Sequence, residues 1–445
     1  MKSTEELLDF VGKTDYSGIP TAVQEKTRLC LLDGLGSAVA GHDTPVGKIV
    51  SGFVSEVWPR GGATVILGGR SSPAGAALAN GYMANALDID DGGKYTRGHP
   101  GAQLVPTVLA LGERYGKSGE EALAGLAVGY ETAHRVGGCL HERFEEYRAC
   151  GSWGSVASAA AAANLLGLGK REIGNALGVA EYNSPYLPME RAIDRPAMVK
   201  HGTGWGAMTG IMAAELARKG FTGPGTTFAG PQCKSWFEDL GDRYIMAEEN
   251  GVEFKEIPSC SWGHPPIKAA LGLVDKYSVE ANEIEKVVVE GFSEMAALYR
   301  GIPETEEEAQ FSVSWPLAVA LTDGEVSPEA MKRGRFDDPE LRDMAERIVI
   351  KESAELTKLN ESLSGSEGET SAWPARVRIV TDTGRIYDSG TVKSEPGEMA
   401  TFPRLVEKFK RFAGPYLSGS KTEEIVGLVR EFASLERVDE LTDLL

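Results

Sequence analysis

Seven stretches between residue 1 and about residue 250 repeat apolar or small side chains at three-to-four spacing, and most of the small ones are alanine or glycine. They are LLDFVG, AVQEKTRLCLLDGLGSAVAG, AGAALANGYMANALDIDD, QLVPTVLALGERYG, EEALAGLAVGYETAHRVG, SVASAAAAANLLGL and AMTGIMAAELARKG, separated by Gly or Pro. Alanine and glycine facing each other let helix axes approach closely. The pattern therefore predicts helices buried on several sides, not a simple four-helix bundle. Glycine supplies 54 of 445 residues without any fixed period, which places it at working positions in loops and close contacts. The most apolar stretch, 154–168, is too short and too rich in small residues to span a membrane, and reads as a close-packed internal helix.

Around 258–265 the texture changes. IEKVVVEGF (284–292) alternates, and 375–392 reads as two strands joined at Asp382-Thr383-Gly384. Residues 326–350 carry helical runs between them. An α+β module is expected here, ahead of a last helical stretch whose packing partner periodicity does not fix.

The formal charge is −19, which argues against nucleic acid or an anionic membrane surface as the main partner. Much of it is local: residues 301–370 hold 17 acids against 7 bases. Five cysteines, Cys30, Cys139, Cys150, Cys233 and Cys260, form no CxxC pair and fit a reducing compartment better than a disulfide frame. MKSTEELLDF lacks an apolar signal core, so the expectation is a cytoplasmic protein.

Two motifs are decoys. GKS at 116–118 lacks the glycine a phosphate loop needs, since Leu111 stands there, and the GxGxxA of Gly202, Gly204 and Ala207 has helical flanks without a strand. Cys260 and His264 are too few ligands for zinc, and no metal is expected. Three constellations remain. Residues 84–102 gather Asp88, Asp90, Asp91, Lys94, Arg97 and His99-Pro100 around a glycine loop, with an imidazole suited to proton transfer; the alternative is a capped helix end with solvated charges. Residues 189–206 cluster Arg191, Arg195, Lys200 and His201, cations that suit a carboxylate substrate unless Glu190 and Asp194 absorb them. Residues 254–266 bring Lys255, Cys260 and His264 to the module junction, where small-molecule sites tend to form.

These residues carry a resemblance. ALDIDDGGKYTRGHPGA followed by the GYE helix resembles the signature stretch of the MmgE/PrpD family, and agreement continues through AMVKHGTGWG, LARKGFTGP, the KxxPSC and GHP elements and AQFSVSWPLAVAL. The resemblance implies a mainly α fold with a smaller α+β domain: an all-helical domain of 1–258 and 399–445, and an α+β lid domain of 259–398. It further implies a homodimer, catalysis without metal or organic cofactor, and reactions such as dehydration of 2-methylcitrate, decarboxylation of cis-aconitate or epimerisation of iminodisuccinate. Carried over by position, it makes Asp88, His99, Lys200 and Lys255 the catalytic candidates, with Asp91, Arg97, Arg148, Cys260, His264 and Trp315 as substrate-binding candidates. Departures are informative. Gly92 replaces a frequent Thr, Arg148 a frequent His, and Cys260 and Trp315 replace the His and Tyr of decarboxylase-like members. Dehydration is the family's broadest association, so the resemblance implies a dehydratase-like lyase on a small di- or tricarboxylate, with a dicarboxylate epimerase, a decarboxylase and a non-catalytic scaffold as alternatives.

Overall fold

The computed structural model describes residues 2–59, 61–228, 230–364, 373–394 and 400–445. Helices dominate the first half: α1 (Lys2–Lys13), α2 (Thr21–Gly41), α3 (Pro45–Val57), α4 (Pro73–Asn85), α5 (Gly101–Tyr115), α6 (Gly119–Arg143), α7 (Gly151–Leu165), α8 (Lys170–Tyr182), the short α9 (Met189–Asp194) and α10 (Thr203–Arg218). The chain divides into two units, one of residues 1–189, 199–254 and 399–445, the other of 190–198 and 255–398. The protein is mainly α with a smaller α+β part.

In the helical unit the alanine run forms α7, buried at every position except Asn164. It packs against α5, α6, α8 and α10. Glycine makes this possible: a Cβ added at Gly210 of α10 would lie 2.4 Å from Ser158 Cβ and 2.7 Å from the Ala159 amide of α7. Gly154 and Gly206 both face the Gln103 side chain of α5, so α5, α7 and α10 converge on one amide. The final helices belong to this unit. Helix Phe402–Phe412 lies on α2, where a Cβ at Gly36 would stand 2.9 Å from the Phe409 ring. The GKS sequence is a helix junction: Gly116 ends α5 in the left-handed region, and Ser118 caps α6 by exchanging hydrogen bonds with Glu121. No helix among the described residues is long and apolar enough to cross a membrane.

Two small ribbons complete this unit, β1 (Ala63–Val65) with β2 (Gly69–Ser71), and β3 (Gly92–Gly93) with β4 (Val252–Glu253). Cys139 of α6 and Cys233 are disulfide-bonded, with Cα atoms 5.5 Å apart. That corrects the expectation of unpaired cysteines. The partners are 94 residues apart in sequence and meet only because the segment around Trp236 folds over α6, so no short motif could signal them.

In the second unit β5 (Ile284–Gly291) pairs in parallel with β6 (Ile348–Glu352) and antiparallel with β7 (Ala375–Thr381), which forms a hairpin with β8 (Ile386–Val392). β7 shows the alternation that makes one sheet face apolar: Ala375, Val377, Ile379 and Thr381 are buried. Helix His264–Tyr277 packs on β7 and β8. Ile348-Val349-Ile350, at the end of the segment read as helical runs, is strand, because β-branched residues beside β5 complete its ladder.

Candidate active site

The site of the helical unit starts where α4 ends. Helix α4 runs to Asn85, and Asp88 then adopts a left-handed backbone at φ +54°. Arg97 and Lys200 share that unusual region at +47° and +38°, so three of the non-glycine residues so strained lie in the two charged motifs. Asp88, Asp90, Asp91, His99 and Lys200 are all buried.

His99 is held on several sides. Its backbone amide donates to Cys150 Sγ at 3.2 Å, and its Nδ1 lies 2.8 Å from the Asp91 carbonyl. A carbonyl only accepts, so Nδ1 donates to it. Asp88 Oδ1 stands 3.3 Å from Nε2, and Asp90 Oδ2 is 3.4 Å from Nδ1. A carboxylate opposite Nε2 stabilises the imidazolium formed when that nitrogen takes a proton. The His201 ring meets His99 edge-on, with centroids 4.6 Å apart. Lys200 Nζ donates to the Asn85 carbonyl at 2.5 Å, which ties the turn before α10 to the end of α4.

The other acids have different work. Asp90 accepts from Asn85 Nδ2 at 3.0 Å. Asp91 Oδ1 accepts from the Gly101 amide at the start of α5, and Oδ2 from Tyr130 Oη at 2.6 Å. Burial, reinforced by the Asp33 and Asp90 charges, holds the Asp91 carboxyl well above the usual carboxylate range. Asp91 thus anchors a helix start. Burial likewise pushes the Cys150 thiol up, so it is no ready nucleophile.

The structure therefore brings Asp88, Asp91, His99 and Lys200 together. Arg97 is exposed on the loop, its carbonyl accepting from Tyr147 Oη. Arg148 stacks on Phe144 and Tyr186, at 4.5 and 4.8 Å from their ring centroids, and lies 3.6 Å from Glu146. In the second unit Lys255 is buried, Cys260 half-buried, and His264 starts a helix with Nε2 3.1 Å from the Ser259 carbonyl. Trp315 is fully buried in that unit, its indole N–H donating to the Ala330 carbonyl at 3.2 Å, with Phe336 edge-on to the ring. His201 is the residue whose position the sequence did not disclose. It stood in the basic cluster, but nothing in its spacing shows that it meets a ring from another motif.

Asp88, His99 and His201 offer donor atoms that all lie within 4.8 Å of one another, and this trio is the place among the described residues that could hold a metal ion. The same atoms are in reach for exchanging protons.

A buried acid–imidazole pair thus stands beside a second imidazole and the turn that carries Lys200, in a mainly helical chain with an α+β second unit. Residues 5–238 match the MmgE/PrpD N-terminal domain and residues 257–432 the MmgE/PrpD C-terminal domain, and the chain belongs to the MmgE/PrpD family, which includes lyases. It is 26% identical to the cis-aconitate decarboxylase of Aspergillus terreus, over 99% of this chain and 95% of that protein. It is 24% identical to the cis-aconitate decarboxylase of Homo sapiens, over 99% and 94%. A cis-aconitate decarboxylase-like protein of Aspergillus oryzae, oryM, is 30% identical over 49% of this chain and 48% of its own length.

Proposed function

We propose that this chain is a lyase that removes water from a small di- or tricarboxylate, in the manner of a 2-methylcitrate dehydratase, with its own side chains moving the protons. The observation that carries the reading is the buried Asp88–His99 pair, with Asp88 Oδ1 3.3 Å from Nε2 of His99 and with Lys200 and His201 adjoining it. His99 takes the proton from the carbon α to a carboxylate, and Asp88 stabilises the resulting imidazolium. Lys200 holds the carboxylate whose enolate develops, and His201 protonates the departing hydroxyl. The family resemblance makes Lys255 a catalytic candidate as well. Dehydration is put ahead of decarboxylation because the resemblance makes it the family's broadest association, and because Cys260 and Trp315 stand where the resemblance places the His and Tyr of decarboxylase-like members. Decarboxylation is the second reading, because the similar proteins carry that name.

The test incubates the protein with citrate-like, aconitate-like and iminodisuccinate-like acids in deuterated water. Alkene absorbance supports dehydration; carbon dioxide release supports the second reading; deuterium uptake without alkene would mean epimerisation and overturn both. His99→Asn should lower kcat by about a hundredfold to ten-thousandfold with the fold intact, as loss of a general base does. Unchanged turnover would remove His99 from the mechanism.

We also propose that the chain pairs with a second copy. Ile49, Phe53 and Val57 on α3 and Trp205, Met212 and Leu216 on α10 are exposed apolar side chains on two helices that both pack on α4. Sedimentation equilibrium should return twice the chain mass, and Phe53→Glu with Met212→Glu should return the mass of one chain. A native monomer would defeat this.

A further inference from the structure

Lys408 lies on helix Phe402–Phe412, buried, more than three hundred residues from the charged loop in sequence. Its Nζ donates to Asp33 Oδ1 of α2 at 2.5 Å and also to the carbonyl of Ile89. Ile89 stands between Asp88 and Asp90. One helical turn beyond Lys408, Phe412 packs with Ala40, Leu87 and Ile89 in a small buried cluster. Backbone and side chain of the 87–89 segment are thus both docked on the same face of the C-terminal helix.

We propose that Lys408 is a positioning residue for the His99–Asp88 pair, acting through the Ile89 carbonyl. Two lysines bracket the strained Asp88. Upstream, Lys200 Nζ and the Asp88 amide share the Asn85 carbonyl, at 2.5 and 3.1 Å. Downstream, Lys408 holds Ile89. A left-handed Asp88 persists only when its surroundings fix both flanking peptides. Fixing them aims its carboxylate at His99 Nε2, 3.3 Å away. The charge arrangement fits the role. Asp33, Asp88, Asp90 and Asp91 are four buried acids, and Lys408 pairs with the first of them while it holds the carbonyl between the next two. Burial raises the Asp33 carboxyl above its ordinary range while Lys408 opposes the rise, so the lysine is charge-matched at one acceptor and serves the site at the other.

The proposal rests on the reading of His99 and Asp88 as the acid–base pair. It competes with a plain structural ion pair, and the experiment separates the two. In Lys408→Met with Asp33→Val both charges leave, so no buried ion is stranded and the fold survives. The positioning role predicts that kcat falls by about a hundredfold, the scale of a 1 Å misplacement, with KM within about threefold. It also predicts that the ring ¹⁵N resonances of His99, assigned by their loss in His99→Asn, move. Asp33→Asn alone keeps Lys408 on Ile89 and should melt lower while leaving kcat and the His99 resonances in place. If the double replacement does not fold, Lys408→Leu with Asp33→Asn, which also removes both charges and the hold on Ile89, takes its place with the same two readouts. A double variant with native kcat and unmoved resonances, or an Asp33→Asn protein whose kcat collapses, overturns the proposal. If the unaltered protein turns over none of the acids, the reaction reading fails. The resonances still decide whether Lys408 positions His99.

Discussion

His134 on α6 is fully buried, and neither ring nitrogen has a hydrogen-bond partner among the described residues. Burial, with the Arg135 and Lys94 charges adding to it, holds its pKa down to about 3 from 6.5. The sign follows. Below pH 6.5 the unfolded chain takes up a proton that the native ring refuses, so this residue's contribution is intact above 6.5 and is lost as pH falls toward 3. By pH 4.5 the loss is about 2–3 kcal/mol, at roughly 1.4 kcal/mol per unit. His134→Leu forfeits no hydrogen bond and should flatten the fall of the urea midpoint between pH 7 and 4.5, with His141, held down to about 4, supplying residual slope. Parallel curves for the two proteins would rule this out. At the same scale, part of the candidate site was legible. Asp88 and His99 share a twelve-residue motif, and Lys200 stood out in the basic cluster before the resemblance gave it a catalytic role. What no spacing encodes is the edge-on meeting of His99 with His201, or a carbonyl between two acids held by Lys408, because those contacts arise from packing between distant helices.

Between elements, the decisive contact is the crossing of α7 and α10. Gly210 faces Ser158 Cβ and the Ala159 backbone, and backbone cannot rotate away as a side chain can. Gly210→Ala gains about 1 kcal/mol of helix propensity but must push the helices apart, and overpacking costs about 1–3 kcal/mol. A lower urea midpoint is expected. Gly427 in helix Gly419–Arg430 is the control: a Cβ there meets nothing within 4 Å, so Gly427→Ala should raise the midpoint by up to about 1 kcal/mol. If both variants shift the same way, close approach at Gly210 is not what that glycine serves. This logic also explains which elements the sequence reveals. Helices with Ala and Gly on several faces announce themselves by period, as does the alternation of β7. β6, only five residues long and buried mainly at Ile348, carries too little alternation to separate from the helix ahead of it, and three-residue β1 and β2 carry none.

On the scale of the whole chain, the helical unit is closed by its own C-terminal segment. Periodicity made 402–445 helical and left its partner open; the structure seats it on the first helices. Leu405, Phe409, Ile425, Val429, Phe432 and Leu441 are buried there, and the Phe432 carbonyl approaches Gly119 so closely that a Cβ would stand 1.6 Å from it. Lys408 reaches Asp33 across 375 residues of sequence. Contacts of such separation form late, because the loop they close must be ordered first. A chain ending at residue 400 would lose both the helix that covers the apolar face of α2 and the Lys408 partner of Asp33. The truncated protein should therefore lose the cooperative thermal transition of the helical unit and bind a dye for exposed apolar surface. A separate peptide of residues 400–445 should restore the transition, because every contact it makes is non-covalent. A truncated chain that melts at the native temperature would mean that α2 finds its core without the C-terminal helices.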